Sequence, residues 1–332
     1  MSLDREGRLY AAMVTISRAP VEYEDLEAHR RELTGYCYRM LGSGYEAEDA
    51  VQEVLVRAWK AADRFEGRSS VRSWLYRIAT NVCLDMRQSP QRRARPMELG
   101  PPSPPREEFL GPWMDESHWI SPMSDERISD GDPADVAEAR DSVRLAFVAA
   151  LQHLPARQRA VLILCEVLKW QASEAAELLE TSVAAVNSAL QRARATIGEL
   201  APSERLDAVP DQALLDDYVD AFQRYDIDRL VTLLHQDAVM SMPPFPMWVQ
   251  GATDIGKFML EPGPSACADS VLIPVSANGC PAYGQYKPDP AGGRTPWGLQ
   301  VLEVSGGRIT GFHCFLDSAR IFPVFGLPLH LD

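Results

Sequence analysis

Four side chains between Ser73 and Asn81 could bind nucleic acid if the segment that carries them is a helix. At 100° per residue these four positions fall within about a third of the helix circumference: Ser73, Trp74, Arg77 and Asn81. An indole ring stacks on an unpaired base, a guanidinium binds phosphate, and an amide pairs with a base edge. The pattern therefore indicates a DNA- or RNA-binding face; the alternative is a core helix that buries Trp74.

The segment SSVRSWLYRIATNVCLD predicts the helix that would position these groups, with Ser69 or Ser70 as its N-cap. Six apolar positions share another face and predict its buried stripe: Val71, Leu75, Ile78, Ala79, Val82 and Met86. The preceding loop, DRFEGRSS, adds Arg64 and Arg68 together with small residues that could hold an unstacked base.

The charge distribution supports a polyanionic partner for this part of the chain alone. The 332 residues carry a formal net charge of -14, yet residues 57–95 sum to +7 and residues 96–141 to -9. A basic block inside an acidic chain indicates local attraction to nucleic acid, and its alternative is a solvated basic face.

Composition excludes several classes of protein. The six cysteines show no CxxC spacing, which argues against a zinc site and a disulfide framework, so we expect no metal and no cofactor. No apolar run approaches the ~18 residues of a membrane span, and the first residues lack the apolar core of a signal peptide. These features predict a cytoplasmic protein without a membrane partner.

A second amphipathic helix precedes the loop, in YEAEDAVQEVLVRAWKAA. Its predicted buried stripe is Val51, Val54, Leu55, Ala58, Trp59 and Ala62. Asp49, Gln52, Glu53, Val56 and Lys60 fall on the opposite side. An apolar Val56 among polar neighbours suits a protein interface better than a solvated face.

The chain then changes character three times. Residues 89–141 are rich in Pro and acidic residues and predict an extended linker, whose Trp113 and Trp119 should dock on another surface. Residues 142–200 predict a helix-turn-helix: a support helix at 171–179, a turn at 180–182 and a recognition helix to about Arg194. Val183, Val186 and Leu190 should face inward; a generic helix pair is the alternative.

The C-terminal part, residues 205–332, predicts an α+β domain with helices first and a sheet after. Ser305-Gly306-Gly307, between LQVLEV and RITGFHCFL, predicts a hairpin turn.

The stretch AEDAVQEVLVRAWKAADRFEGRSSVRSWLYRIATNVCLDMRQ closely resembles region 2 of bacterial extracytoplasmic-function (ECF) RNA polymerase sigma factors, across both helices and their loop. The resemblance implies contacts to the clamp helices of the polymerase beta-prime subunit, on the face that carries Asp49, Gln52, Glu53 and Val56. It also implies that the loop and following helix melt and read the minus-ten promoter element, through Arg64, Phe65, Arg68, Ser73, Trp74, Arg77 and Asn81.

Residues 154–200 resemble sigma region 4, from the LP-x-RQR opening to the SxxxVxSxLxRAR ending. The resemblance implies contact with the polymerase beta flap and recognition of the minus-thirty-five element, through Ser182, Ala184, Ala185, Asn187, Ser188, Gln191, Arg192 and Arg194. Gln171 stands where Ser is usual, and Asn187 and Ala189 stand where basic residues are common. Fewer cations release fewer counterions, so we expect weak, salt-sensitive binding by this module alone.

Residues 217–259 resemble the cone-shaped SnoaL-like family, whose pocket serves catalysis in some members and binding in others. The chain thus resembles the actinobacterial ECF subgroup with such an extension, which implies packing against the sigma core and control in cis. The motifs that would do this are altered here, and their residues are Trp119, Asn278, Pro281, Asp289 and Arg294.

His235 with Asp237, and His313 with Asp317, are the candidate acid/base pairs if the extension is an enzyme. Residues four apart in a strand are about 13 Å apart, too far for a hydrogen bond, so the pair His313 and Asp317 is weak. A fold-positioning role for these groups is the favoured interpretation, and no catalytic residue is predicted.

The predicted architecture is multidomain: all-α sigma region-2 and region-4 (helix-turn-helix) domains plus a C-terminal α+β SnoaL-like cone. The expected boundaries are 23–88, a linker at 89–141, 142–200 and 205–332. The predicted function is a non-enzymatic sigma factor, regulated in cis, whose partners are core RNA polymerase and promoter DNA, with a small-molecule ligand in the C-terminal domain as a further candidate. The alternatives are a ligand-responsive helix-turn-helix regulator and an isomerase or cyclase fused to a DNA-binding module.

Overall fold

The structure is a computed structural model that describes residues 22–67, 69–86, 92–128, 141–200, 206–207, 209–265 and 267–332. No helix among these residues is long and apolar enough to cross a membrane.

Residues 22–86 form a helical module whose helices are α1 (Tyr23–Glu27), α2 (Arg30–Leu41), α3 (Gly44–Ala61) and α4 (Val71–Met86). Gly42 ends α2 at φ +74°, a left-handed conformation that glycine adopts without steric cost. Ser43 caps α3 by accepting a hydrogen bond from the Glu46 N–H at 3.4 Å. Ser70 caps α4 as predicted, accepting the Ser73 N–H at 3.0 Å.

The described part of the linker, residues 92–128, lies along the C-terminal domain in short helical turns. The Ser103 N–H donates to the Trp248 carbonyl at 2.8 Å, and the Trp248 indole donates to the Gly100 carbonyl at 2.9 Å. The Trp113 ring meets the Phe245 ring edge-on at 5.5 Å, and Trp119 is buried. The prediction that the linker tryptophans dock on another surface is confirmed, and that surface includes the C-terminal domain.

The second helical module contains α5 (Leu145–Gln152), α6 (Ala156–Leu162), a π-helical turn (Ile163–Val167), α7 (Ala172–Leu178) and α8 (Val183–Leu200). Helices α7 and α8 are the predicted helix-turn-helix, although α8 continues one and a half turns beyond Arg194. Gln171 begins α7 with a capping box, because its N–H donates to the Glu174 carboxylate at 2.7 Å. Glutamine therefore replaces serine at this cap without losing the reciprocal pairing.

The C-terminal domain combines five helices with a mixed sheet among the described residues. The helices are α9 (Gln212–Gln223), α10 (Ile227–Leu233), α11 (Ala252–Met259), α12 (Pro262–Ser265) and α13 (Ser318–Val324). The strands are β1 (Leu234–Ser241), β2 (Trp248–Gln250), β3 (Val271–Ala277), β4 (Cys280–Pro288), β5 (Arg294–Ser305) and β6 (Arg308–Phe315). Their order is β2-β1-β6-β5-β4-β3, antiparallel except for the parallel pair β1–β6. The predicted hairpin joins β5 to β6, with Gly306 and Gly307 both at positive φ.

The two faces of this sheet serve different cores. The inner face, with Leu302 and Phe312, packs against Tyr218 and Phe222 of α9 inside the cone. The outer face joins the core of the helical modules, together with α13, which packs between β5 and α3. The C-terminal domain is thus built into the same apolar core as the two helical modules.

Candidate nucleic-acid interface

Helix α3 presents the predicted polymerase-binding residues on its exposed side. Asp49, Gln52, Glu53 and Val56 are all exposed, and Val56 retains 39 % of its surface. Trp59, which was predicted to belong to the buried stripe, is 52 % exposed and meets only the edge of the Tyr23 ring, at 6.1 Å between centroids. The prediction was wrong because the buried stripe of α3 is filled by residues up to Ala58 and Trp59 falls at its edge.

Helix α4 and the preceding loop bring together two of the predicted minus-ten residues. The Trp74 ring lies 4.8 Å from the Phe65 ring at 31°, and Trp74 is half-buried at the edge of the core. Leu75, Ala79 and Val82 are buried as predicted, whereas Met86 is exposed. The indole is therefore supported from one side and open on another, which is the arrangement that a base-stacking platform requires.

The other predicted minus-ten groups differ in their access to solvent. Arg64 and Asn81 are exposed, and Ser73 is half-buried with its hydroxyl 2.9 Å from that of Ser70. Arg77 points at the second helical module and donates to the Glu177 carbonyl at 3.5 Å. Arg68 lies outside the described residues.

Helix α8 and the residue before it carry the predicted minus-thirty-five residues, and all eight are exposed: Ser182, Ala184, Ala185, Asn187, Ser188, Gln191, Arg192 and Arg194. Its buried stripe is Val186, Leu190 and Ala193. Val183, predicted to face inward, is 44 % exposed: it is the first residue of α8, and the buried stripe begins one turn later, at Val186. Arg194 is engaged within the protein: its Nε donates to Glu166 at 3.0 Å.

The two helical modules are clasped together through Arg72 of α4. Its guanidinium lies 5.2 Å from the Tyr76 ring centroid and 5.3 Å from that of Trp170, which precedes α7. The same group donates to Glu32 at 2.7 Å. Burial lowers the pKa of Arg72, but the hydrogen bond to Glu32 and the electrostatic interactions with Tyr76 and Glu32 together outweigh it, and the net shift is upward. Arg72 therefore stays charged between two rings, a stabilising geometry for a cation.

Asn278, in the β3–β4 turn, forms side-chain hydrogen bonds with three other parts of the chain. It is fully buried, and its Nδ2 donates to the Tyr38 hydroxyl of α2 at 2.6 Å and to the Val143 carbonyl at 2.5 Å. Its Oδ1 accepts the Met123 N–H of the linker at 3.0 Å. Its φ of +57° is a conformation that asparagine tolerates better than most residues. One side chain thus connects the C-terminal domain to both helical modules and the linker.

The remaining predicted regulatory residues are distributed differently. Trp119 is buried, and its carbonyl accepts from Arg93 at 3.0 Å. Pro281 lies in β4 opposite Ser276 of β3. Asp289 caps the β4–β5 turn, and Arg294 donates to the Asp269 carbonyl and pairs with Leu331. These last contacts stay within the C-terminal domain, so the structure brings Asn278, but not Asp289 or Arg294, to the helical modules.

The candidate acid/base pairs lie outside the cavity of the cone. His235 is half-buried and Asp237 is exposed, with Nδ1 and Oδ2 4.0 Å apart. His313 pairs not with Asp317 but with Ser241, at 2.8 Å from Nδ1, and lies 3.6 Å from Glu303. Burial raises the pKa of Asp317. Among the described residues no cluster of three or more His, Cys, Asp or Glu could hold a metal ion.

Several structurally decisive residues carry weak signals in the sequence. Trp170 and Glu32 complete the clasp around Arg72, and nothing in their local pattern distinguishes them from ordinary helix-end residues. Arg159 is fully buried and donates to backbone carbonyls, among them those of Gln152 at 3.2 Å and Leu154 at 3.1 Å. The RQR sequence that contains Arg159 was noted for its resemblance to region 4, and its burial is a further role that the resemblance did not predict.

Comparison with known proteins agrees with this architecture. Sequence profiles match Sigma-70 region 2 over residues 25–93, Sigma-70 region 4 over 144–197 and the Nuclear transport factor 2 (NTF2) domain over 211–320. The chain is 47 % identical over 311 residues to the ECF RNA polymerase sigma factor SigG of Mycobacterium tuberculosis, covering 91 % of this chain and 82 % of SigG. It is 25 % identical to the probable ECF sigma factor SigI of the same species, covering 90 % and 93 %. The crystal structure of M. tuberculosis SigJ superposes with a TM-score of 0.56 at 22 % identity, covering 93 % of this chain and all of SigJ.

Proposed function

The chain belongs to the ECF RNA polymerase sigma factors, and we propose that its C-terminal domain holds it in a closed form that must open before it acts. A sigma factor binds core RNA polymerase and promoter DNA and directs transcription initiation. The observation that carries the proposal is the direct contact between the two helical modules at Arg72 and Arg77.

Promoter geometry makes this contact incompatible with initiation. The minus-ten and minus-thirty-five elements are separated by about 25 base pairs, which at 3.4 Å each is about 85 Å of duplex. In the closed form Arg77 of α4 is 3.5 Å from the Glu177 carbonyl of α7. Two modules in contact cannot occupy both elements at once, so the modules have to separate when the promoter is bound.

The closed form also covers a group needed for DNA binding. The Nε of Arg77 is buried and its Nη2 is engaged by Glu177. We assign Trp74, Phe65 and the other predicted groups of the loop and α4 to the minus-ten element, and the exposed face of α8 to the minus-thirty-five element. When the two helical modules separate, Arg77 becomes free to bind a DNA phosphate, whereas the stack of Trp74 on Phe65 is already formed in the closed form.

The polymerase-binding face of α3 is, in contrast, accessible in the closed form. Asp49, Gln52, Glu53 and Val56 are exposed together, and Trp59 extends the apolar part of this surface. We assign this face to the beta-prime clamp helices and the second module to the beta flap. Core polymerase can therefore engage α3 first and draw the two modules apart afterwards.

Control in cis is assigned to the C-terminal domain through Asn278, which contacts α2, the linker and the segment before α5. We propose that the domain is not an enzyme and acts inside the cell with the polymerase. The described residues that line its cavity include one ionisable acid, Glu107, and no histidine, so a general acid/base pair is not assembled there.

In vitro transcription with core polymerase and a genomic promoter library tests the assignment. We expect Val56→Asp to weaken holoenzyme formation, and Trp74→Ala to leave holoenzyme intact while open complexes are lost. Arg308→Gln, on the exposed β5–β6 hairpin, is the matched control and should behave as wild type. Unchanged open-complex formation by Trp74→Ala would refute the minus-ten assignment, and DNA footprinting without polymerase would favour a conventional regulator.

A further inference from the structure

The cone of the C-terminal domain encloses a cavity of about 440 Å³, which is the size of a small-molecule site. Its walls are apolar: among the buried lining residues are Phe222, Met240, Phe258, Phe312 and Cys314. Burial raises the pKa of the Cys314 thiol, which keeps it neutral. The interior is therefore suited to an uncharged, apolar molecule.

The floor of the cavity carries a chain of buried polar side chains. The Tyr218 hydroxyl donates to Gln300 Oε1 at 2.7 Å, Gln300 Nε2 donates to Gln285 Oε1 at 2.8 Å, and Gln285 Nε2 donates to Ser270 at 2.9 Å. Gln285 and Gln300 are buried to 99 % or more and both line the cavity. Among the described residues each amide nitrogen donates one bond in this chain, and a second N–H of each is available to a ligand.

These donors define the chemistry of the ligand. Two amide N–H groups in an apolar wall recognise a hydrogen-bond acceptor such as a ketone, ester or amide carbonyl. No lysine, arginine or histidine lines the cavity within the described part of the chain, and the one acid, Glu107, is exposed at the rim. One cation lies beside the lining: the Lys287 ammonium is 3.2 Å from the centroid of the Trp297 ring, and burial lowers the pKa of Lys287. A carboxylate or phosphate would have to draw this cation off the indole face, whereas a neutral acceptor leaves the pair intact.

The rim of the cavity is built partly by the linker between the two DNA-binding modules. Glu107, Leu110 and Trp113 of the linker line it. The Glu107 carboxylate accepts the Gly263 N–H at 3.0 Å, and the Met114 N–H donates to the Pro244 carbonyl at 3.1 Å. A molecule in the cavity therefore contacts the docked linker directly.

We infer that the cavity binds a neutral apolar molecule with a carbonyl acceptor, and that this ligand stabilises the docked linker and hence the closed form. The second part rests on the proposed function, since it requires the linker to leave the domain when the modules separate on the polymerase. By linkage, ligand binding and polymerase binding oppose each other by the same factor.

The probe for the experiment is Prodan, a neutral naphthalene with a ketone and a fluorescence that reports its surroundings. Its matched analogue is 6-propyl-2-(dimethylamino)naphthalene, in which a methylene replaces the ketone. We expect the full chain to bind Prodan about tenfold more tightly than the analogue, the effect of one net hydrogen bond. Gln300→Leu removes one of the two amide donors, so it should reduce this preference and leave the analogue's affinity unchanged. Trp113→Ala, at a 60 % exposed side chain that can be truncated without unfolding, should weaken Prodan about fivefold.

If Gln300→Leu fails to fold, the cavity-filling variant Met242→Trp provides a second test of the site. Leu329→Ser, at an exposed side chain, is the surface control. Three results would each refute the binding site: the full chain does not bind Prodan, Met242→Trp still binds it, or both probes bind with equal affinity. Saturating core polymerase should weaken Prodan binding about tenfold. An unchanged affinity in an assembled holoenzyme would overturn the coupling alone. Failure to assemble holoenzyme would instead count against the proposed function. The titrations of the free chain with the two probes would still test whether the cavity binds them.

Discussion

Asn278 offers the most direct test of how the closed form is held. Asn278→Ala removes three buried hydrogen bonds, those with Tyr38, Val143 and Met123, at donor–acceptor distances of 2.5–3.0 Å. Each buried partner left unsatisfied costs about 1–3 kcal/mol, and the Tyr38 hydroxyl keeps its bond to the Ser121 carbonyl. Two partners, the Val143 carbonyl and the Met123 N–H, are left unsatisfied, so the closed form should lose about 2–6 kcal/mol relative to the open form. This is a shift of roughly 30-fold or more in the opening equilibrium.

The same substitution also strains the turn, because alanine at φ +57° costs about 1 kcal/mol. This strain is present in both the closed and the open form and cancels from the equilibrium between them. Asp269→Ala is the matched control: Asp269 lies in the same domain at φ +59°, and the bond recorded there uses its backbone carbonyl. It should destabilise the domain without opening the protein.

Hydrogen exchange of the Ser121 amide is the assay. This N–H donates to the Gly42 carbonyl at 3.1 Å, joins the linker to the first module, and does not contact Asn278. We expect its exchange to accelerate by roughly 30-fold or more in Asn278→Ala and to stay near wild type in Asp269→Ala. If exchange in the two variants differs by less than about threefold, Asn278 is not the pin that the geometry implies.

Three further predictions concern other contacts. Trp170→Ala removes one of the two rings that contact Arg72, together with its contact to the other ring, Tyr76, and should raise transcription at limiting polymerase by about fivefold or more. A double-mutant cycle with Arg72→Ala that shows no coupling would contradict this. Arg192→Ala should weaken promoter binding by the holoenzyme, and the steepness with which log affinity falls with log salt concentration should decrease by about one. Asn187→Lys should increase this steepness by about one. Equal salt dependence in the variants and wild type would exclude phosphate contacts at these positions. Asp317→Asn should raise the melting temperature at neutral pH. Burial raises the pKa of Asp317, so the folded protein binds the proton of this carboxyl more tightly than the unfolded chain does. The wild-type protein therefore loses stability as pH rises through that pKa, and the uncharged amide avoids this loss. The difference from wild type should vanish near pH 3, where the acid is protonated in both states; a gain that persists there would point to another cause.

Local patterns were sufficient for much of the fold. The helical period predicted α3 and α4 with their main buried faces, and the two glycines after Ser305 predicted the β5–β6 hairpin at positive φ. The sequence of α7, turn and α8 likewise predicted the helix-turn-helix. These features follow from the sequence because each depends on residues within one or two turns of helix, or on one tight turn.

The same reasoning failed at the edges of the stripes. Trp59 and Val183 match the apolar period, yet both are largely exposed. Period alone says which side of a helix is apolar, but the width of the buried stripe depends on how far the neighbouring helix reaches. At Trp59 the neighbour is the small helix α1, which covers the indole only through the edge of Tyr23.

By itself, then, the sequence determined the family, the helical modules, the faces of α3, α4 and α8, and the side chains on them that we propose for base stacking, phosphate binding and base reading. Only the tertiary structure decided that Arg77 is engaged by the second module, that Asn278 joins parts of the chain as far apart as Tyr38 and Val143, and that the linker forms the rim of an amide-floored cavity. These contacts join residues 100 to 240 positions apart. Such contacts arise when separately folded modules pack together, and the periodicity of a single helix or strand carries no record of the surface it will meet.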